Sequence, residues 1–308
     1  DQFPYTIPSG STYDSGDYPR CQALSVEKSG WGEDFRARQA AALREGRHIG
    51  QGIANYVEGT GLGPFEGATT QVLSSGRILL RTGSSAQGQG SRTACAQVAA
   101  DAFNVDVSQI DVEVGDTNSV PIGVGAFASR LMVNVGSSVS VSSAAVVKKL
   151  KQIAAARFEV SEDDLELVDG TVRVAASQGA SVSFAEIASM TGGMPGFSLP
   201  DGIEPGLVAT HYFTPPQAAY ANGSHVAEVE VDPETGLVTV LRYVVVHDCG
   251  KMVNPLLVEG QVQGGVAHGI GNAILEKMRF DEAANPLTTS FADYLLPDAG
   301  VVPKAEIH

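Results

Sequence analysis

The chain has 308 residues, 43% of them hydrophobic and 18% charged. That is enough apolar content for a substantial core and excludes disorder of the whole chain. A net charge of -15, from 20 Lys+Arg against 35 Asp+Glu, argues against a dedicated nucleic-acid binder and against a binder of anionic membranes. No stretch approaches the ~18 consecutive apolar residues of a membrane span. Cys21, Cys95 and Cys249 are too sparse for a disulfide framework, which makes the cytoplasm the expected compartment. The opening Asp1-Gln2-Phe3-Pro4 has neither the basic nor the apolar region of a signal peptide and lacks Met, so it reads as processed or trimmed. No Cys-x-x-Cys or His-x-x-x-His spacing occurs, so no zinc or iron–sulfur site held by this chain is expected.

In chain order, residues 1–20 are rich in Pro, Gly, Ser and Tyr and read as an extended arm. Residues 34–46 are good helix formers ending on Gly46. Residues 48–83 read as strands with a hairpin turn at Ser74-Ser75-Gly76. Next, Cys95, Val98, Ala99, Ala102 and Phe103 fall at helical spacing within 92–103. A short alternating strand at 109–116 precedes a glycine-rich loop at 121–130 and a long small-residue helix at 136–158 with a basic last turn. Residues 160–200 hold a helix start (SEDDLEL), a hairpin about Asp169-Gly170, a helix (FAEIASM) and a Gly/Pro-rich loop. Two alternating strands at 225–248 flank Asp232-Pro233-Glu234-Thr235-Gly236 and form the strongest hairpin. A turn at Asn254-Pro255 leads to a helix at 258–277.

Residues 66–103 and 225–277 both run hairpin, glycine-containing turn, then helix. The expected fold is therefore α+β, with two similar hairpin-plus-helix lobes and mixed or antiparallel sheets. The division expected is an arm and helix at 1–47, a first lobe at 48–160, a minor lobe or excursion at 161–210, and a second lobe at 211–308.

Chemistry concentrates in three places. AQGQGSRT (86–93) leaves a strand and opens a helix, where glycines admit a ligand to the backbone and free N–H groups attract an anion. Gln87 and Gln89 each offer a donor and an acceptor, suiting a heterocycle with amide-like edges. In the second loop, Ser129 reads as a helix cap or a ligand contact, and Arg130 as a phosphate anchor or a solvent-facing charge. The helix at 258–277 carries Gly260, Gly264, Gly265, Gly269 and Gly271. Each interior glycine costs roughly 1 kcal/mol relative to Ala, so close contact with another backbone or a ligand is expected there. Gln261 is read in its first turn, and His268 as a packed or capped histidine. His247-Asp248-Cys249 is no triad, because neighbours on a strand point to opposite faces.

Taken in order, YDSGDY (13–18), GPFEGA (63–68), TGSSAQGQGSRT (82–93), GDT (115–117), GAFASR (125–130), VEVDPETG (229–236), DCGKMVNP (248–255), VEGQVQGGVAHGIGNAILE (258–276) and DYLLP (293–297) resemble the molybdopterin-binding large subunit of the xanthine oxidase family. The likeness is greatest to the carbon monoxide dehydrogenase-type and aromatic N-heterocycle hydroxylase branch. It implies a molybdopterin cofactor, in the cytosine dinucleotide form, contacted by Gln87, Gly88, Gln89, Phe127, Ala128, Ser129, Arg130 and Gln261. Asp248, Cys249 and Asn254 are implied at its nucleotide end. Molybdenum would be held by the pterin dithiolene and by no side chain of this chain.

The resemblance further implies FAD and [2Fe–2S] clusters on partner subunits, assembly as a dimer of heteromers, and oxidation of an aromatic N-heterocycle, an aldehyde or CO with water as oxygen source. The family's catalytic Glu lies in a Gly-x-Gly-Glu segment downstream of the DYLLP block, beyond His308. No catalytic residue is therefore assigned, and Glu276, Asp293 and Glu306 are not substitutes. The family subunit is about twice this length, so the chain is expected to be either one half of a divided molybdenum subunit or part of a longer one, inactive by itself. Two other readings compete: a cofactor-free scaffold, and a nucleotide-binding oxidoreductase of another type resting on Gly88-x-Gly90.

Overall fold

The computed structural model describes residues 3–175 and 179–308. Its elements are β1 (Tyr5–Thr6), β2 (Thr12–Tyr13), α1 (Tyr18–Ser29), α2 (Glu33–Arg44), β3 (His48–Thr60), β4 (Glu66–Val72), β5 (Ile78–Thr82), α3 (Ser91–Phe103), β6 (Ile110–Val114), α4 (Ser137–Phe158), β7 (Leu165–Val168), β8 (Thr171–Val174), β9 (Ser181–Ser183), α5 (Phe184–Thr191), β10 (Val208–Phe213), β11 (Ala219–Val231), β12 (Val238–Asp248), α6 (Pro255–Ile274) and β13 (Glu306–Ile307). A single π-turn, Met132–Gly136, leads into α4. The chain divides into two units, Asp1–Glu58 with Tyr220–His308, and Gly59–Ala219. The α+β expectation holds. Each unit contains an antiparallel strand pair followed by a helix, β4-β5-α3 in one and β11-β12-α6 in the other.

In the Gly59–Ala219 unit the main sheet has the order β10-β4-β5-β6. Strands β10, β4 and β5 are antiparallel, while β5 and β6 run parallel, with Thr82 opposite Val114. The period-two pattern of β4 turns Glu66, Ala68, Thr70 and Val72 inward. They meet the apolar stripes of α3 (Cys95, Ala99, Phe103) and α4 (Val139, Val146, Leu150, Ile153). Each large apolar side chain buried this way contributes about 1.5–3 kcal/mol. A smaller sheet, β7-β8-β9, and helix α5 extend the same core through Leu165, Val172, Val182, Phe184 and Ile187. Where SEDDLEL was expected to begin a helix, only one turn forms, at Glu162–Asp164. Burial of Leu165 and Leu167 then favours a strand, because two apolar residues two apart match a pleat and not a helix face.

In the other unit the sheet has the order β13-β12-β11-β3. Helix α6 buries Val262, Val266, Ile270 and Ile274 against Val240, Tyr243 and Val245. Arg242 clamps β13 by donating to both carboxylate oxygens of Glu306 at 2.6 Å. The arm expected over residues 1–20 ends early, because α1 begins at Tyr18. Asp17 caps it by accepting from the Arg20 N–H at 3.1 Å, Pro19 stands in its first turn, and Gly30 ends it in a left-handed conformation. Its buried stripe is Cys21, Ser25 and Ser29, and Ser25 bonds Ser224 of β11 at 2.6 Å.

Among the described residues no helix is long and apolar enough to cross a membrane.

Candidate functional site

Parallel strands β5 and β6, joined through α3, deliver two loops from their carboxyl ends: 83–90 after β5 and 115–130 after β6. Open α/β sheets place ligands in this position. The loops touch backbone to backbone. A Cβ on Gly83 would stand 2.6 Å from the Gly123 Cα, and one on Gly123 would stand 2.7 Å from the Gly83 Cα. No side chain fits there, so glycine is required at both positions by contact alone.

The first loop exposes Gln87 and Gly88 and half-buries Gln89. The Gln87 N–H donates to the Gln89 amide oxygen at 2.6 Å, which fixes the turn. Gly88 has φ +96, and a Cβ there would meet nothing within 4 Å. Helix α3 then starts at Gly90 without a side-chain cap, leaving the N–H groups and positive dipole end of a 13-residue helix beside the loop. The hydroxyls of Ser84 and Ser91 flank this turn, buried and without a hydrogen-bond partner.

In the second loop Phe127, Ala128 and Ser129 are exposed, but Arg130 is completely buried. Both sequence readings of Arg130, as phosphate anchor and as solvent-facing charge, give way to an inward guanidinium. It donates to Glu66 at 2.8 Å and to the carbonyls of Leu62, Phe65 and Gly125 at 2.6 Å each. The reason is Glu66, which the inward register of β4 places in the core, where a carboxylate needs a cationic partner. Glu66 also accepts from the Val124 and Gly125 N–H groups, at 2.8 and 2.6 Å. Sequence reasoning missed Glu66. The available signal was a charged residue in phase with Ala68, Thr70 and Val72 on a buried strand. The Phe127 ring lies 5.0 Å from the Arg130 guanidinium carbon, a cation–π contact. Ser129 does not cap α4, which begins eight residues later at Ser137 after the π-turn.

The remaining predicted residues lie in the other unit. Asp248 shapes the turn after β12 by accepting from the Gly250 N–H at 2.9 Å, and Cys249 is exposed. Asn254 caps α6, accepting from the Leu257 N–H at 3.0 Å, with Pro255 as the first helical residue. The helix thus begins three residues before the expected start, because Asn-Pro is a cap here and no separate turn. Gln261 consequently sits in the second turn, exposed. A Cβ at Gly260, Gly264, Gly265 or Gly269 would meet nothing within 4 Å, so the close contact expected there is not made by the described residues; only Gly271 is tight, against Glu276 and Pro297. His268 is exposed where packing or capping was expected, because the buried face of α6 runs through Val262, Val266 and Ile270 instead.

His247 bonds the Tyr56 hydroxyl at 2.6 Å. Burial holds the imidazoles of His247 and His225 below the usual histidine range and pushes the Tyr56 hydroxyl up to about 12. Glu276, Asp293 and Glu306 serve locally, bonded to Tyr294, Ser290 and Arg242.

The donor set of the two loops is two Gln amides, open backbone and a helix N-terminus, with the one guanidinium of the 121–130 loop turned inward. It suits a heterocycle with amide-like edges that carries an anionic group. Among the described residues no three His, Cys, Asp or Glu side chains converge as metal ligands.

Comparison with known proteins gives a consistent result. Residues 25–303 match the family described as the molybdopterin cofactor-binding domain. The chain is 36% identical to the nicotine 6-hydroxylase large subunit of Paenarthrobacter nicotinovorans and 33% identical to the carbon monoxide dehydrogenase large chain of Afipia carboxidovorans. Each alignment covers 99% of this chain and 39% of the relative. The structure is similar to that of quinoline 2-oxidoreductase from Pseudomonas putida 86, with a TM-score of 0.91 at 33% identity, and to Cu,Mo-CO dehydrogenase, with a TM-score of 0.89 at 33% identity. Both likenesses cover 99% of this chain and 40% of the other. The chain therefore spans about two-fifths of the length of these relatives.

Proposed function

The chain belongs to the molybdopterin cofactor-binding domain family, and from that premise we propose that it holds the pterin cofactor of a molybdenum hydroxylase, in the cytosine dinucleotide form. The observation that carries the reading is the Gly83–Gly123 contact, which brings two ligand-suited loops together at the carboxyl ends of parallel strands. Gln87 and Gln89 orient the heterocycle by donating to and accepting from its edges, while Gly88 leaves room for its approach. The N–H groups at the start of α3 attract the anionic group. Phe127, Ala128 and Ser129 form an exposed wall, and Arg130 acts from behind by holding that wall in place. In the other unit Asp248, Cys249, Asn254 and Gln261 are the proposed contacts.

When bound, the cofactor supplies two-electron redox chemistry at its metal, with water as the oxygen source. No described residue is assigned the general base. The proposed substrate is an aromatic N-heterocycle, an aldehyde or CO. The proposed partners are the remainder of the molybdenum subunit, an FAD subunit and a [2Fe–2S] subunit, assembled as a dimer of heteromers. Relatives are named as a large subunit, a large chain and a complex subunit, which supports a heteromeric setting.

The test is to isolate the chain from its source with whatever co-purifies, then quantify molybdenum and acid-released nucleotide per chain. About one Mo with one CMP is the expected result. An intact complex with neither would overturn the proposal and favour a cofactor-free scaffold.

A further inference from the structure

We propose that Glu66 and Arg130 are positioning residues that set the 121–130 loop in its ligand-ready shape before the cofactor arrives; this rests on the cofactor reading above. Arg130 is the largest fully buried side chain of the described residues, and every one of its N–H donors is engaged. Four bonds run to Leu62, Glu66, Phe65 and Gly125. The fifth is accepted by the Asn134 amide oxygen at 3.1 Å, in the orientation that also lets its nitrogen donate to the Arg130 carbonyl. Glu66 grips the loop at its front through the Val124 and Gly125 N–H groups, and Arg130 grips it behind through the Gly125 carbonyl.

The exposed residues lie between these anchor points, and two of them are held in an unusual backbone conformation. Ala128 and Ser129 have φ +47 and +51, left-handed values that non-glycine side chains disfavour. Two such residues in succession persist only where the surroundings over-determine them. Here the fixing bonds are the Arg130 N–H to Phe127 O and the Gly61 N–H to Ser129 O, both 3.2 Å.

Stability alone does not account for the pair. A buried ion pair is often no better than apolar residues of the same volume, because desolvation offsets the attraction. This one is also used unevenly: Glu66 Oε1 accepts three hydrogen bonds while Oε2, also buried, accepts none. All three fall on the loop or on Arg130, so the carboxylate is committed to loop geometry. Phe127 rests on the guanidinium, which carries the placement out to the exposed wall.

The experiment compares wild type, Glu66→Gln, Arg130→Lys and the double variant Glu66→Leu/Arg130→Met, each purified as the native complex. Three quantities are read: hydrogen exchange of the 124–129 amides, exchange of α4 and β4, and Mo with CMP per chain. Glu66→Gln keeps the shape and removes the charge from three bonds, so loop exchange is expected to rise at least about tenfold with loss of cofactor, while α4 and β4 stay protected. The double variant is expected to keep the fold, without buried charge, and still to lose both loop protection and cofactor.

The proposal is overturned if loop exchange and cofactor content match wild type in Glu66→Gln and Arg130→Lys, or if the double variant regains cofactor. It is equally overturned if α4 and β4 lose protection together with the loop in both single variants, which would make the pair a general core element. If wild type carries no Mo and no nucleotide while the loop responds as expected, the cofactor reading fails and the positioning role stands.

Discussion

Replacing Gly83 by alanine tests the contact on which the site is built. The new methyl would stand 2.6 Å from the Gly123 Cα and 3.1 Å from both the Gly123 N and the Ile122 carbonyl oxygen. All three are backbone atoms, so no side chain can rotate aside and one loop must move. Overpacking of this kind costs about 1–3 kcal/mol. At about 2–4 °C per kcal/mol for a unit of this size, the melting temperature of the Gly59–Ala219 unit should fall by roughly 2–12 °C. Calorimetry of Gly83→Ala beside Gly123→Ala measures it. The two losses should not add in the double variant, because both methyls enter the same contact. A Gly83→Ala protein that melts within 1 °C of wild type and keeps its Mo would refute the reasoning, since the loops would then not need to touch.

The glycine face of α6 should behave oppositely. A Cβ at Gly265 has nothing within 4 Å, so Gly265→Ala should stabilise the isolated chain by about 0.5–1 kcal/mol, read as a raised denaturation midpoint. The same variant in the native complex should bind partner or cofactor less well if that face is covered there. His225 and His247 are held below the histidine range by burial. Protons therefore bind the unfolded chain more readily, and stability should be constant above the unfolded pKa of about 6.5 and fall as pH drops below it. Thermal unfolding between pH 8 and pH 5 checks this, and His225→Phe should flatten the slope. Burial pushes the Cys95 thiol up to about 12 and also raises Cys21 and Cys249, but of the three only Cys249 is exposed. A thiol reagent at neutral pH should label Cys249 quickly and the other two only on unfolding.

Much of this fold is legible in the sequence because its long elements obey one period at a time. The β11-β12 hairpin alternates in burial over residues 224–229 and 238–242, and Cys95, Ala99 and Phe103 of α3 repeat at helical spacing and are buried. The order of the glycine-rich blocks identified the family, and the match over residues 25–303 bears that out. Helix α1 stayed hidden because its buried stripe is a cysteine and two serines, which a hydrophobic period does not register. Its Asp17-Tyr18-Pro19 start was nonetheless a readable cap. The start of α6 is a cap of the same kind, Asn254-Pro255, a pair that by sequence alone also reads as a turn. Arg130 and Glu66 were illegible for a different reason. They lie 64 residues apart in sequence, and a charge read alone defaults to the surface. Only the register of β4 shows that one of them must be inside and must therefore bring the other with it.

That inward pair also bears on how an acidic chain can hold an anionic ligand. With a net charge of -15 the long-range field repels anions, so attraction has to be generated locally. The two cations of these loop segments divide the work: Arg92 stands exposed in the first turn of α3, and Arg130 is spent on Glu66 and backbone carbonyls. What remains facing outward is mostly neutral, namely the Gln87 and Gln89 side chains and the uncapped N–H groups of α3. Dipoles of this kind act over the length of a helical turn and are fixed in direction by the fold. They favour a ligand seated in one orientation over any anion that drifts near. A site that displayed Arg130 would attract phosphate generally. A site that buries it to hold Phe127, Ala128 and Ser129 gives up attraction at a distance for a defined wall at contact.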